Sequence, residues 1–223
     1  MMPKNRLHLP VKGLIKDVDL VIPEIDYLEM NGYESSLQAK NNNDAILSLS
    51  SVYFLAQLMR GEPTEKQVEY FTAKMGMQPD YFRLVHRALH DWIWKNNLWI
   101  RVKELLMWKD GKESYLMKDY EVTKVNGQPP SVQYDKASLV PVKWPMEYER
   151  LTRKRASELL NIPESFAREI DLFADSYHHS GDDIRTLYMI FNPNSTDALY
   201  SDRPLTYSHP SLGCLTGKVE KQT

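Results

Sequence analysis

Two histidines in the middle of the chain, His86 and His90, have the spacing that could place two imidazoles on one metal ion, because residues four apart share a helix face. Candidates for a further ligand are His178, His179, Asp182 and Asp183. Arg87 lies between the two histidines, and histidine pairs at this spacing are common by chance. We therefore predict no metal site, and we expect this helix face to contact phosphate groups instead.

Motifs for other chemistry are missing from the sequence. It contains no P-loop, no dinucleotide-binding glycine pattern, no zinc-protease helix motif and no nucleophile elbow. Its single cysteine, Cys214, excludes an internal disulfide framework and a multi-cysteine zinc site. We predict a protein without enzymatic activity and without a cofactor. A cytoplasmic location suits the single cysteine and the lack of a signal peptide or of a run of about 18 apolar residues that could span a membrane.

Basic residues are concentrated in two stretches that could contact phosphate. In the first, Arg83, Arg87, His90 and Trp94 follow one another at i+4, i+7 and i+11, so an unbroken helix would carry them on one exposed face. Arginines on that face could bond guanine in a DNA major groove. Trp94 could instead anchor a protein partner, since tryptophan is over-represented at interface hot spots. We predict these four residues as the first part of a nucleic-acid-binding site.

The second basic stretch runs from Lys143 to Arg155 and contains five basic residues against two acidic ones. Arg153, Lys154 and Arg155 crowd the start of a predicted helix, and Arg168 follows that helix. The alternative is that these charges only form a solvated helix face. We predict that the four residues contact phosphate and complete the nucleic-acid-binding site.

Capping and turn signals define the elements of residues 44–126. Asp44 can cap a first helix, and Thr64 with Gln67 forms a capping box at the start of a second helix. Pro79 opens a third helix, and the pair Asp110-Gly111 predicts a type I′ hairpin after it. The predicted buried core consists of Leu47, Leu55, Phe71, Phe82, Val85, Leu89 and Trp92.

Three helices followed by a hairpin is the element order of a winged helix. The junction of the second and third helices also resembles the helix-turn-helix class, whose characteristic places are filled by Thr72, Gly76, Met77, Phe82 and Val85. This resemblance covers roughly a tenth of the chain and implies a recognition helix near Pro79–Lys95. A second segment, residues 151–175, resembles the same template through Ser157, Asn161, Ile162, Ala167 and Ile170.

The predicted fold class is mainly α with a small β-hairpin wing (α+β), in which a winged-helix-like unit precedes a second helix-turn-helix-like unit. Proline, glycine and asparagine divide the chain into an irregular N-terminal arm (1–43), a winged-helix-like domain (44–126), a proline-rich linker (127–146), a helical helix-turn-helix-like domain (147–192) and an extended or disordered tail (193–223). Within the arm, Val18–Ile22 could form one strand.

The overall charge limits the function. A net charge of −2 and a pI near 6.3 argue against a general polyanion binder. One function left open is a DNA-binding accessory or regulatory protein of a bacterial or mobile-element system, acting on duplex DNA through helix-turn-helix units. The other is a structural adaptor or assembly subunit that uses winged-helix surfaces to contact a protein partner or copies of itself. No membrane partner is expected.

Overall fold

The computed structural model describes residues 7–10, 18–27, 29–75, 78–95, 99–174 and 183–219. Within these residues the α-helices are α1 (Gly32–Asn41), α2 (Leu49–Leu58), α3 (Glu65–Met75), α4 (Pro79–His90) and α5 (Arg153–Leu160). A π-helical turn, Asp91–Lys95, directly extends α4, and Lys136–Ser138 form a 3-10 turn. The strands are β1 (Leu7–Pro10), β2 (Val18–Asp26), β3 (Asp44–Ile46), β4 (Trp99–Lys109), β5 (Glu113–Met117), β6 (Tyr120–Thr123), β7 (Ser131–Tyr134), β8 (Leu139–Val142), β9 (Glu149–Leu151), β10 (Ile170–Phe173), β11 (Asp183–Ile190), β12 (Asp197–Pro204) and β13 (Leu212–Val219).

Eleven of the described strands form one large sheet. Its main path is β1-β2-β13-β4-β11-β12-β10-β9, with β3 joined to β13 and with β5 and β8 continuing from β4. The pairs β10–β12 and β13–β4 are parallel, and the other neighbours in this described sheet are antiparallel. Strands β6 and β7 form a separate hairpin. The protein is therefore a mixed α/β fold, and the predicted mainly α class with a small hairpin wing is wrong.

The winged-helix assignment fails at strand β4. Three helices and a hairpin do follow one another, and Asp110 and Gly111 have the positive φ angles, 50° and 64°, that the predicted turn requires. However, β4 pairs with β11 on one side, and with β13 and β5 on the other. A strand with both edges paired inside a large sheet cannot serve as a wing. Gly76 and Met77, which fill the turn of the helix-turn-helix template, lie outside the described residues.

The second helix-turn-helix assignment is also wrong. Helix α5 ends at Leu160 and is capped by Asn161, whose φ of 52° is the left-handed conformation that asparagine tolerates. No second helix follows, because the chain makes a turn near Pro163 and enters strand β10. The next described element is strand β11, which pairs with β4, although the sequence places these residues in the helical domain 147–192.

The main core lies between the sheet and helices α2, α4 and α5. Five predicted core residues are buried there, which confirms that part of the prediction: Leu47, Leu55, Phe82, Val85 and Leu89. The side chains of Phe71 and Trp92 lie outside the described part. The sheet contributes alternate residues such as Ile100, Val102 and Leu199 to the same core.

The opposite face of β4 carries a buried charge. The Arg101 guanidinium donates hydrogen bonds to the carbonyl oxygens of Met30 (2.9 Å) and Tyr207 (3.2 Å) and to the hydroxyls of Ser35 (3.0 Å) and Thr186 (3.2 Å). Burial lowers the pKa of Arg101. These bonds hold the start of α1 and the loop before β13 against β4.

Aromatic rings continue along this face from strand to strand. Ring centres of His209, Trp99, Tyr188, Tyr200 and Phe173 follow one another at 4.2, 5.5, 5.1 and 4.6 Å, with neighbouring planes within 9° of parallel. The rings stack on each other, so their faces are occupied within the protein. We interpret this ladder as cross-strand stabilisation of the sheet.

Candidate anion-binding cleft

Two cavities that share Arg168 lie at the end of α2, and we call them together the Arg168 cleft. Their volumes are about 350 and 270 Å³. The first is lined by Gln57, Arg153, Ser165, Phe166, Ala167 and Arg168. The second is lined by Arg60, Arg168, Glu169, Ser195, Thr196 and Asp197. The cleft thus brings together three arginines from separate parts of the chain.

Local structure explains how α5 and the turn after it reach the cleft. The Thr152 hydroxyl caps α5 by accepting a hydrogen bond from the Arg155 amide, which sets Arg153 at the first helical position. The backbone N–H of Arg168 donates to the Tyr53 hydroxyl of α2 at 3.0 Å. Burial raises the pKa of Tyr53 to about 12, so this hydroxyl stays neutral at physiological pH. The turn that carries Arg168 is therefore attached to α2.

A buried ion pair forms one wall of the cleft. Arg60 bonds both carboxylate oxygens of Asp197, at 2.8 and 3.0 Å, and Gln57 donates to the same carboxylate at 2.8 Å. The side chain of Asp197 is only 1% exposed. Burial raises the pKa of Asp197, although Arg60 and Gln57 oppose this effect. Arg60 is therefore largely neutralised by Asp197.

The exposed arginines of the cleft have spare donors. Arg153 uses its Nε–H to bond the Glu164 carbonyl oxygen at 2.7 Å, and no described residue bonds its terminal nitrogens. The exposed side chain of Arg168 forms no hydrogen bond or ion pair within the described ranges. Guanidinium groups present donors in a planar fork that matches phosphate or carboxylate oxygens. The Ser165 and Thr196 hydroxyls beside them could add hydrogen bonds to the same anion.

The structure brings together three of the four residues in the first predicted set, which are Arg83, Arg87 and His90, and buries the fourth, Trp94. Arg83 forms ion pairs with Glu65 (3.0 Å) and Asp80 (3.4 Å), whereas Arg87 is exposed. Arg83, Arg87 and His90 line a separate cavity of about 280 Å³, together with His86. Their contact with nucleic acid stays a prediction.

Trp94 does not lie on the exposed face predicted for it. Its side chain is 4% exposed, and the Arg60 guanidinium carbon lies 4.3 Å from the ring centre. The physical reason is the π-helical turn Asp91–Lys95, which holds more residues than an α-helical turn. The Trp94 side chain is therefore rotated away from the face that carries Arg83 and Arg87.

The second predicted set is brought together only in part. Arg153 and Arg168 meet in the cleft, and Lys154 is exposed on α5. Arg155 instead donates to the Lys143 carbonyl oxygen at 3.3 Å and lies 3.8 Å from the Glu158 carboxylate. The sequence analysis missed Arg60 and Asp197, because no local pattern joins residues 137 positions apart.

The two histidines considered as metal ligands, His86 and His90, line the same cavity as Arg83 and Arg87. His86 is buried, and its Nε2 has no hydrogen-bond partner among the described residues. Burial lowers the pKa of His86, and nearby His90 lowers it further. Groups of three or more potential ligands are not found in the described part of the chain. His178, His179 and Asp182, proposed as further ligands, lie outside it.

The geometry defines a mixed α/β protein with one large sheet and an arginine-lined cleft. Comparison of the chain with protein-family models, curated proteins and solved structures finds no match, so no family relationship supports DNA binding. Among the described residues, no helix has the length and apolar character needed to cross a membrane.

Proposed function

We propose that this protein binds nucleic acid through phosphate groups held at the Arg168 cleft, and that it does so without enzymatic activity. The observation that carries the proposal is the position of Arg168, which lines both cavities and stands beside Arg153 in one of them. Two exposed guanidinium groups whose terminal nitrogens bond none of the described residues can donate to the oxygens of one phosphate or of two successive phosphates. The net charge of −2 requires such contact to be local instead of spread over the surface.

In this proposal the protein contacts the sugar-phosphate backbone at the cleft, and no helix reads the bases. We expect weak dependence on sequence and strong dependence on salt, because each phosphate contact releases condensed counterions. Duplex DNA is the first partner to test, and single-stranded DNA is the natural comparison. A reducing, cytoplasmic location belongs to the same proposal and is supported by the single cysteine, Cys214, which is buried.

The test is the salt dependence of binding to random-sequence DNA, measured by fluorescence anisotropy. Replacing Arg153 and Arg168 with alanine should weaken binding and reduce the slope of log K against log salt by up to about two, one for each lost contact. The matched control changes Lys109 and Lys112 to alanine. These two exposed lysines lie at the hairpin between β4 and β5, outside the cleft, so the control removes the same charge.

Three results are distinguishable. Loss in the cleft variant alone supports the proposal. Equal loss in both variants indicates general electrostatic attraction and overturns the assignment of the cleft. Absence of binding by the unmodified protein at low salt removes nucleic acid as the partner and leaves the adaptor or assembly-subunit function, which the exposed apolar residues of α4 favour.

A further inference from the structure

The turn after α5 presents an exposed aromatic ring to the Arg168 cleft. Phe166 is 39% exposed and lines the same cavity of about 350 Å³ as Arg153 and Arg168. Its ring meets the Phe54 ring at an angle of 61°, with the ring centres 4.9 Å apart. One such neighbour covers at most one face of a ring. Within the part of the chain that the structure describes, Phe166 therefore has ring surface left on which another planar group can stack.

Hydrogen bonds hold this turn in position. The Phe166 amide donates to the Pro163 carbonyl oxygen at 2.9 Å. The Ala167 amide donates to the Glu164 carbonyl oxygen at 3.1 Å, and the Ala167 side chain is buried in the main core. The turn is thus packed against the core directly beside Phe166. A ring that is already held in place loses little conformational entropy when a planar ligand stacks on it.

The charged side chains of this first cavity are all basic. Among the described residues that line it, Arg153 and Arg168 are charged and no carboxylate is present. The second cavity differs, because Glu169 and Asp197 contribute to its lining. A phosphate group is therefore attracted to the first cavity, which the Phe166 ring also lines.

We propose that the Arg168 cleft holds an unpaired nucleotide of a single strand, with its base stacked on Phe166 and its phosphate bonded by Arg153 and Arg168. A base and a phosphate are neighbours in every nucleotide, and the first cavity brings a ring and two guanidinium groups to one place. In a duplex the faces of each base are covered by the adjacent base pairs, whereas an unpaired base can turn a face to a protein ring. The cleft therefore takes single strands in preference to duplexes.

This inference rests on the proposed binding of nucleic acid and adds the kind of strand and the contact that selects it. Stacking tolerates any sequence, since every base has a flat face. Stacking also involves no charge, so the salt dependence of binding comes from the arginines. Loss of the ring should therefore change the affinity at a constant salt slope, whereas loss of the arginines should change both.

The test is fluorescence anisotropy with a labelled oligothymidylate, used alone and annealed to its complement. The unmodified protein should bind the single strand more tightly than the duplex. Phe166→Leu should weaken binding of the single strand about five-fold or more, with the same salt slope and the same affinity for the duplex. Phe166→Trp keeps a ring for stacking and should retain binding of the single strand.

Tyr81→Leu is the matched control, because Tyr81 is 40% exposed on α4 and lies outside the cleft. It removes an aromatic ring of nearly the same exposure and should leave both affinities unchanged. Oligouridylate is titrated in parallel to separate RNA from DNA as the source of the strand. The loss in Phe166→Leu is expected with whichever of the two single strands binds more tightly. Thermal melting of each variant shows that it is folded.

Each result of these titrations decides for or against the inference. Loss of single-strand binding in Phe166→Leu, with binding kept in Phe166→Trp and Tyr81→Leu, supports it. Equal affinity of the unmodified protein for single strand and duplex overturns it, and so does an equal loss in Phe166→Leu and Tyr81→Leu. If the alanine variant of Arg153 and Arg168 loses binding but Phe166→Leu does not, the stacking contact is wrong and the proposed function stands. If the unmodified protein binds no probe at low salt, the proposed function fails and this inference fails with it.

Discussion

The guanidinium group of Arg60 lies over the ring of Trp94, with its central carbon 4.3 Å from the ring centre. The same group is held by both oxygens of Asp197 at the start of β12. One side chain therefore joins the end of α2 to the π-helical turn after α4 and to the sheet. A cation over a tryptophan face is stabilised more when it is shielded from water, as Arg60 partly is.

Replacing Arg60 with methionine should destabilise the protein strongly. The change keeps much of the apolar stem over Trp94 but leaves the buried Asp197 carboxylate without its cation, which typically costs about 3–5 kcal/mol. The measurement is the free energy of unfolding in urea at neutral pH. Adding Asp197→Asn should recover part of the loss, because no buried charge then remains. A single variant that loses less than about 1 kcal/mol would show that the pair contributes little.

Phe82→Ala tests the core register of α4. Phe82 is 1% exposed, so removing its ring should cost about 3–5 kcal/mol of unfolding free energy. Phe166→Ala is a matched control at a ring that is 39% exposed and contacts Phe54 from the surface. The control should cost clearly less, and equal losses in the two variants would contradict the burial assigned to Phe82. Chemical denaturation of both variants provides the comparison.

The pH dependence of stability should contain a contribution from His86. Burial and His90 lower the pKa of His86 in the folded protein. As pH falls below about 6.5, the unfolded chain binds a proton at this histidine that the folded protein does not bind, so the unfolding free energy decreases. This stability is present above that pH and is lost on acidification.

The variant His86→Asn keeps a polar side chain at this position but has no titrating group. Its unfolding free energy should fall less steeply than that of the unmodified protein between about pH 7.5 and about pH 5.5. Urea titrations at several pH values measure the difference. Parallel curves for the two proteins would rule out this role of His86.

Individual basic residues of α5 should differ in their effect on nucleic-acid binding. Changing Arg153, Lys154 and Arg155 together to alanine should flatten the salt slope by up to about three units, one per contact. Arg155 is already bonded to Lys143 and lies near Glu158, so Arg155→Ala alone should reduce the slope less than Arg153→Ala. Anisotropy titrations of the single variants decide this. A larger loss of slope in Arg155→Ala than in Arg153→Ala would indicate that the phosphate contact lies outside the cleft.

Short-range signals were the predictable part of the fold. The Thr64–Gln67 capping box forms in both directions, with the Thr64 amide donating to Gln67 at 2.8 Å and the Gln67 amide donating to Thr64 at 3.3 Å. Such contacts depend on neighbours within one helical turn. Asp44 shows the limit of this reasoning, because it belongs to strand β3 while Ser48 caps α2. Aspartate and serine are both common at helix starts. Only the pairing of β3 with β13 shows that Asp44 belongs to a strand and that the helix starts after Ser48.

Long-range pairing was the part that the sequence could not predict. The sequence places residues 183–190 in the helical domain 147–192, but as β11 they pair with β4, which lies more than 70 positions earlier. The same limit applies to the cleft. Arg153 and Arg168 were found through their charge and their position around one helix. No residue pattern near Arg60 or Asp197 in the sequence indicates that they form an ion pair. They come together only when the sheet is complete.

The central position of β13 has a consequence for the synthesis of this protein. This strand lies between β2 and β4 and also pairs with β3, and all three partners are made much earlier than residues 212–219. Until β13 emerges from the ribosome, the edges of β2 and β4 that pair with it have no partner strand along those residues. Exposed strand edges promote aggregation. The nascent chain therefore exposes these strand edges until residues 212–219 are made, and the sheet becomes continuous only as its last described strand is added.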